Sequence, residues 1–279
     1  MFQLIRKLII LTATLPFAAL LSAQEPVRPV STAWMAEVGS SHLADTYLSP
    51  IRYSGMHYGL TYSRLQAMKS PLLPCVQGWD LGLSFDKTRN RAGNATILGA
   101  RLEGSWRMMR RWHLAKGFQA GVGGYAGAEF GALYLSRNSN NPAQAIGAVC
   151  VGPEAFVQWT GKLKKLPLAV RWQLSSPLAG AFFCPNYGEL YYEIQLGNRS
   201  DLVHFAWPGS RRSVRSLLSV DLNFGRSTLR LGYSFNALSS KANNVTSRRI
   251  SHAAVVGIVC DLVTLNPRKS DANILPAYY

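Results

Sequence analysis

The chain has 279 residues and a formal net charge of +16, and 48% of its residues are hydrophobic whereas only 16% are charged. Soluble domains carry about 25% charged residues, so a surface this poor in charge argues against an ordinary soluble protein. After the first apolar stretch, no segment reaches the roughly 18 apolar residues that a membrane helix needs, which argues against a helical membrane protein.

The first residues have the pattern of an export signal. Arg6 and Lys7 precede an apolar stretch from Leu8 to Leu21, and small residues follow up to Ala23. A positive start, an apolar middle and a small-residue cleavage site are typical of a cleaved signal peptide. The sequence therefore predicts a signal peptide over residues 1–23 and one exported domain over residues 24–279.

Alternation of apolar and polar residues dominates the remaining sequence. One clear example sets Trp79, Leu81, Leu83 and Phe85 against Asp80, Ser84 and Asp86. Because successive side chains of a strand point to opposite faces, this alternation predicts strands with one apolar face each. In chain order the predicted strands cover residues 32–39, 53–64, 79–85, 98–106, 117–129, 148–159, 168–174, 190–196, 202–207, 218–224, 229–235 and 250–263.

Two features favour a membrane barrel over a soluble sandwich or cup, which would also need one apolar face per strand. Most acidic residues fall on the polar phase of the predicted strands, and tryptophans such as Trp34, Trp79 and Trp172 occupy the apolar phase near strand ends. Tryptophans at strand ends are typical of an interfacial aromatic girdle. We therefore expect an all-β protein, a single antiparallel transmembrane β-barrel of about twelve strands in an outer membrane. A soluble periplasmic β-barrel that binds a ligand is the alternative.

The polar phase of such a barrel would face its lumen. The charged residues predicted to line the lumen are Asp80, Arg101, Glu103, Arg107, Glu129, Glu154, Arg171, Glu189, Glu193, Asp221 and Arg230. Unpaired charge is costly at that depth, so we expect carboxylates and guanidiniums to neutralise each other. About twelve strands lie between filled small barrels and wide porins, which leaves both a plugged structural barrel and a narrow porin-like conduit open.

Excess arginine gathers in the predicted loops. The residues concerned are Arg89, Arg91, Arg110, Arg111, Arg211, Arg212, Arg248 and Arg249. Those that face outward are expected to attract phosphates of outer-membrane lipid. Nucleic acid is not expected as a partner, because the basic residues form neither a helix face nor an aromatic groove and the chain is exported.

Motifs for catalysis or cofactors are weak in this sequence. Gly121-x-Gly123-x-x-Ala126 lacks the surrounding βαβ unit of a dinucleotide site and suits a strand with small inward residues better. A lipid-hydrolysing enzyme remains the enzymatic alternative, with Ser251-His252 and Ser41-His42 as the adjacent serine–histidine pairs. No metal-binding spacing is present and no cofactor is expected, whereas Cys150 and Cys184 are a candidate disulfide pair in an oxidising compartment.

Two segments resemble a known family. They run from Ser176 through Pro185-Asn186-Tyr187-Gly188-Glu189 to Asn198, and from Leu217 to Tyr233. They are similar to an outer-membrane β-barrel family of Bacteroidales-type bacteria known only as a domain of unknown function. The resemblance implies location and fold but no catalytic residues. It also implies insertion by the barrel-assembly machinery, although the chain runs past its last predicted strand before it ends at Tyr279.

Overall fold

The computed structural model describes residues 28–68, 75–139, 141–164, 166–197, 200–224 and 227–262. These residues form twelve strands and one short helix. The strands are β1 (Val30–Asp45), β2 (Ser49–Ala67), β3 (Cys75–Asn90), β4 (Thr96–Ala115), β5 (Phe118–Leu135), β6 (Ala143–Leu163), β7 (Leu166–Ser175), β8 (Ala179–Phe183), β9 (Val203–Ala206), β10 (Arg211–Asn223), β11 (Thr228–Ala242) and β12 (Val245–Leu262), and the helix is α1 (Tyr191–Gln195).

Ten of the strands close into an antiparallel barrel. Successive strands β1 to β7 pair in order, β7 pairs with β10, and β12 returns to pair with β1 along its full length. The short strands β8 and β9 lie outside this ring, where β8 pairs with β6 and β9 pairs with β8. The prediction of a closed all-β barrel is confirmed, and its strand number is corrected to ten in the ring and two outside it.

The period-two pattern of the sequence sets which side chains face inward. On β3, Asp86 and Thr88 are buried, whereas Trp79 and Leu83 are more than half exposed. On β4, Arg101 and Arg107 are buried and Leu102 is exposed. Polar residues therefore line the interior and apolar residues form the outer surface, which is the reverse of a soluble β-sandwich.

Apolar side chains are concentrated at the end of the barrel away from residues 30 and 262. We call it the loop end, and the opposite end the terminal end. A buried cluster lies at the loop end, formed by Leu43, Tyr47, Leu48, Tyr53, Ala95, Ile97, Leu133, Leu135, Ala148, Phe182, Cys184, Ala206 and Val245. Its members come from six of the ring strands, from β8 and β9 and from the turns above them. The cluster narrows the interior at this end to a small cavity of about 40 Å³, which Arg101 and Arg211 also line.

One predicted strand is wrong. Residues 190–196 were expected as a strand, but Tyr191–Gln195 form helix α1 within the connection between β8 and β9. The segment alternates in hydropathy, yet within it Glu193 accepts a hydrogen bond from the backbone N of Leu190 at 3.0 Å and caps the helical turn. Strand β8 was missed because its sequence, AGAFF, has no polar phase.

Two sequence predictions concern residues outside those described, namely the signal peptide at residues 1–23 and the chain after residue 262. Within the described residues, no helix is long and apolar enough to cross a membrane. Cys150 and Cys184 are both free thiols, so the candidate disulfide between them is absent from this structure.

Candidate functional site

Nine of the residues predicted to line the lumen lie on strands of the ring with side chains directed inward. They are Asp80, Arg101, Glu103, Arg107, Glu129, Glu154, Arg171, Asp221 and Arg230. Their shared direction follows from strand periodicity, because each occupies the polar phase of its strand. The ring brings them into one interior volume and pairs most of them with opposite charges.

A buried pair of contacts centres on Asp86, just below the apolar cluster. Its Oδ2 atom lies 2.5 Å from Nη1 of Arg101, and its Oδ1 atom lies 2.8 Å from Nδ1 of His57. His57 and Asp86 are direct cross-strand partners on β2 and β3, whereas Arg101 reaches diagonally from β4. Asp86 is fully buried, so these two partners compensate a carboxylate that water does not reach.

Other ion pairs cross the lumen rather than a strand ladder. Glu103 on β4 is held by Arg215 of β10 and lies 3.6 Å from Nη2 of Arg249 of β12. Glu129 on β5 is paired with Arg211 on β10. These contacts join strands on opposite sides of the ring, so they brace the barrel across its interior.

The terminal half of the lumen contains a third group of paired charges. Arg107 contacts Asp80, and its Nη1 atom lies 3.4 Å from Oε1 of Glu154. Asp221 and Arg230 face each other on β10 and β11 and form a double contact, with both nitrogen–oxygen distances at 2.7 Å. A guanidinium and a carboxylate matched in this forked geometry form one of the strongest ionic contacts available to side chains.

Arg171 is placed by an aromatic ring. Its guanidinium carbon lies 3.9 Å from the centre of the Phe156 ring on the neighbouring strand, within the range of a cation–π contact. Phe156 in turn lies over Gly121 of β5, where a Cβ atom would come within 2.1 Å of the ring. The glycine-rich segment of the sequence is thus the ring strand β5, whose inward-facing Gly121 leaves room for Phe156.

A polar cavity of about 170 Å³ lies between these charged groups. Glu37, His57, Tyr125 and Arg215 are among its lining residues. The loop-end cluster lies on one side of the cavity, and Leu65 and Val76 of the neighbouring strands β2 and β3 form a small buried apolar contact toward the terminal end. A volume of this size suits a small number of water molecules that hydrate the ion pairs.

Between β8 and β9, the described residues 184–197 and 200–202 cover the loop end, and we call them the capping segment. Tyr47 donates its hydroxyl hydrogen to the Glu189 carbonyl at 2.6 Å, and the Ala145 backbone N donates to the Tyr191 hydroxyl at 2.6 Å. Nδ2 of Asn243 donates to the Cys184 carbonyl at 3.1 Å. The segment is therefore tied to two turns of the barrel and to the start of strand β6.

The placement of Glu189 and Glu193 corrects the predicted lumen lining. Glu189 is buried in the capping segment, where its side chain accepts a hydrogen bond from the Asn186 backbone N at 2.9 Å. Glu193 is exposed on α1. Both were assigned to the lumen because residues 190–196 were predicted as a strand, and the helix removes that periodicity.

The predicted lumen lining lacked four partners that complete the ion pairs: Arg211, Arg215, Arg249 and Asp86, although Asp86 lies on the polar phase of its predicted strand. Arg211 and Arg249 were assigned to loops because strands β10 and β12 begin earlier than predicted. The signal was present in the sequence, since Arg211, Ser213 and Arg215 continue the inward phase of Asp221. Arg212 and Ser216 are polar residues on the outward phase, so this segment lacks the apolar–polar alternation that predicts a strand.

The outer wall of the barrel carries cations at its two ends and no acid between them. All the acidic side chains described on the ring strands point inward, namely Glu37, Asp45, Asp80, Asp86, Glu103, Glu129, Glu154 and Asp221. On β2, the outward residues Arg52 and Arg64 bracket a stretch that contains Tyr58 and Leu60. The span between the two arginines matches the roughly 9–11 residues that a tilted strand needs to cross a membrane.

Comparison with known families decides the classification of this chain. Residues 5–269 match the model of a family described as "Protein of unknown function (DUF3316)". The chain belongs to this family. The predicted resemblance to a family of unknown function is confirmed, whereas a Bacteroidales-type origin stays a prediction.

Solved structures similar to this DUF3316 protein share little sequence with it. The beta domain of the Bordetella autotransporter BrkA is 11% identical with a TM-score of 0.42, and covers 85% of this chain and 100% of its own. The outer membrane protease OmpT from Escherichia coli is 6% identical with a TM-score of 0.41, covering 86% and 98%. An outer membrane channel from Pseudomonas putida F1 is 8% identical with a TM-score of 0.36, covering 86% and 97%. No curated protein matches the chain.

The serine–histidine pairs considered for catalysis are separated in the DUF3316 structure. Ser251 is buried in the interior while His252 faces outward, because neighbours in a strand point to opposite faces. His252 instead contacts the Tyr233 hydroxyl at 2.5 Å, and outward-facing His42 lies 2.9 Å from Oγ of Ser54. In the part of the chain that the structure describes, no carboxylate contacts His42 as an orienting third group.

Proposed function

We propose that this protein is an outer-membrane β-barrel with a closed lumen, and that it acts as a membrane-embedded structural or surface-interaction protein rather than as a solute channel. The observation that carries the proposal is the loop end, where buried apolar side chains narrow the interior to a cavity of about 40 Å³ and the capping segment lies over them. An ion or polar solute would have to displace this cluster to pass.

The outer wall supports residence in a membrane. Its exposed side chains include Trp34, Leu60, Leu83, Phe130 and Ile258, and the acidic residues of the ring face the other way. Aromatic contacts between outward rings, such as Trp79 with Trp106 and Phe118 with Trp159, lie toward the terminal end. An apolar band with aromatic residues near its border is the surface that transmembrane barrels present to lipid.

The interior supports a closed barrel over a conduit. Eight-stranded barrels are filled by side chains and those of 16 strands hold a water channel, so about ten strands leave little free space. Here arginine–carboxylate pairs cross that space, as Glu103 with Arg215 and Glu129 with Arg211 do. The same ion pairs that satisfy buried charge also block the path.

The test combines membrane fractionation with conductance. The full chain should appear in the outer-membrane fraction, shift its gel migration on heating and give no steady ion conductance in a planar lipid bilayer. A variant in which a short Gly-Ser linker replaces residues 186–201 and Leu133 and Phe182 of the cluster are changed to Ser should conduct more than the wild type, because the cap and part of the cluster are gone. A matched control replaces residues 91–94 of the β3–β4 turn with the same linker and should stay silent.

Two results would contradict the proposal. A wild-type protein without heat shift and outside the membrane fraction would point to a soluble periplasmic barrel. A heat-shifting wild type with steady conductance would mean that the interior is open, and the conduit interpretation would replace the closed barrel.

A further inference from the structure

One part of the outer wall differs from the rest of the apolar band. At the loop end, outward positions of β12, β1, β2 and β3 carry exposed basic side chains. We call this surface the basic face and define it by Arg52, Lys87, Arg89 and Arg248, with His42 and Ser54 between them.

Strand register brings these residues together. Ala44 of β1 pairs with Arg248 on one side and Arg52 on the other, so the two arginines are two strands apart. Ser54 pairs with both His42 and Arg89 one row below. Neighbouring strands lie about 4.8 Å apart, so the backbones of Arg52 and Arg248 are roughly 10 Å apart and their long side chains can reach one anion.

The positive charge of the basic face is not compensated by the carboxylates that the structure describes. Within the described residues, Arg52, Lys87, Arg89 and Arg248 have no carboxylate within salt-bridge distance, and the carboxylates of the ring strands face the lumen. The face ends at β4, because the row that contains Lys87 continues on β4 and β5 with Leu98 and Tyr134. On its other side, β11 and β10 carry the exposed cations Lys241 and Arg212, so at the loop end the outward positive charge avoids the β4–β5 side of the wall.

Exposed apolar side chains begin directly below the basic face. Val38, Tyr58 and Phe85 are outward neighbours on β1, β2 and β3 and are all more than two-fifths exposed. A ligand that fits both surfaces carries negative charge at one end and hydrocarbon at the other. Guanidiniums match phosphate oxygens in a forked geometry, which makes phosphate the suitable anion.

We propose that the basic face binds the phosphate group of an anionic membrane lipid whose acyl chains lie along Val38, Tyr58 and Phe85. This inference rests on the proposed function, because a lipid meets the face only when the barrel is inserted. It also selects Arg89 and Arg248 from the predicted lipid-binding arginines and adds Arg52. Arg211 and Arg249 drop out, since they point inward and pair with Glu129 and Glu103.

Native mass spectrometry of the folded full chain in nonionic detergent tests the proposal. The probes are dioleoyl phosphatidic acid, its phosphate-free counterpart dioleoylglycerol, and inorganic phosphate as a competitor. The site variant is Arg52→Gln/Arg89→Gln/Arg248→Gln. The matched control is Arg64→Gln/Arg110→Gln, which removes exposed outward arginines at the terminal end.

We expect the wild type to bind phosphatidic acid in preference to dioleoylglycerol. One cation near a lipid surface contributes about fivefold in affinity, so the triple variant should bind phosphatidic acid roughly 100-fold more weakly. The control should stay within about threefold of the wild type, and heat-modifiable migration of both variants checks that they are folded.

Several outcomes overturn the inference. Equal adduct formation with dioleoylglycerol, equal losses in the site and control variants, or full displacement by inorganic phosphate would each remove a specific lipid site. These failures are distinct from failure of the proposed function. A barrel that shifts on heating but shows no phosphate preference contradicts only the lipid site, whereas a chain that never enters membranes contradicts the proposed function itself.

Discussion

The pair of Asp221 and Arg230 allows a quantitative test of the interior. Both side chains are about 4% exposed and make two contacts of 2.7 Å, and Arg230 also lies 3.8 Å from the Met35 sulfur. In Arg230→Met the carboxylate of Asp221 stays buried without this partner. Breaking a buried pair in this way lowers the free energy of unfolding by about 3–5 kcal/mol.

Replacement of both partners should restore much of the loss. Asp221→Leu/Arg230→Met removes the two charges together and leaves apolar side chains in their place. Buried pairs exchanged for apolar residues are often neutral in stability, so we expect the double variant to lie within about 2 kcal/mol of the wild type. The two substitutions should therefore couple by about 2 kcal/mol or more.

Urea unfolding of the barrel in detergent or lipid vesicles measures these differences, with tryptophan fluorescence and gel migration as readouts. The chain has seven tryptophans to report the transition. Arg64→Met is the matched control, because Arg64 is exposed on the outer wall and its loss should change the free energy of unfolding by less than about 0.5 kcal/mol. The reasoning is refuted if Arg230→Met costs no more than Arg64→Met, or if the two single effects simply add in the double variant.

Three further predictions concern packing, a thiol and the cap. Gly121→Val should lower the free energy of unfolding by about 1–3 kcal/mol in the same assay, because its Cβ would meet the Phe156 ring. The control Gly104→Val should not lower it, because Gly104 has open space around it. Burial raises the pKa of the Cys184 thiol to about 11, with a smaller contribution from the nearby carboxylate of Asp45. In a variant that keeps Cys184 alone, iodoacetamide at pH 8 should therefore react about 100-fold more slowly with folded than with unfolded protein. Equal alkylation rates of the folded and unfolded protein would contradict the raised pKa. Because the thiol pKa is higher in the folded state, the free energy of unfolding should be constant below about pH 9 and fall as pH rises toward 11. Tyr47→Phe removes the hydrogen bond to Glu189 and should lower the free energy of opening of the capping segment by about 1 kcal/mol. Proteolysis within residues 186–201 should then be roughly fivefold faster, whereas the control Tyr58→Phe should leave the proteolysis rate unchanged.

Strand faces were predictable because their signal is local. The alternation around Trp79 and Asp80 needs only the two-residue repeat of an extended chain, and the structure places these two side chains on opposite sides of β3. The same local signal misled at residues 190–196, where hydropathy alternates but helix α1 forms. Periodicity alone does not show that this segment connects two short strands above the barrel.

The partners of the lumen charges depend on the closed ring. Asp221 and Arg230 are neighbours across one hairpin, so their pairing follows from the sequence once the turn is recognised. Glu103 and Arg215 are 112 positions apart and meet only because β4 and β10 lie on opposite sides of a narrow barrel. The sequence places Glu103 on the polar phase of a predicted strand but indicates neither its partner Arg215 nor the distance between them.

The sequence by itself determined that the chain forms amphipathic strands with charge on the inner phase, because strand periodicity and the cost of unpaired charge act on local patterns. The tertiary structure alone decided the ring of ten strands, the apolar cluster with its cap and the basic face on β12 to β3. Each of these depends on register and on which strands become neighbours when the sheet closes. Closure is a property of all the strands together, and no single segment of the sequence carries it.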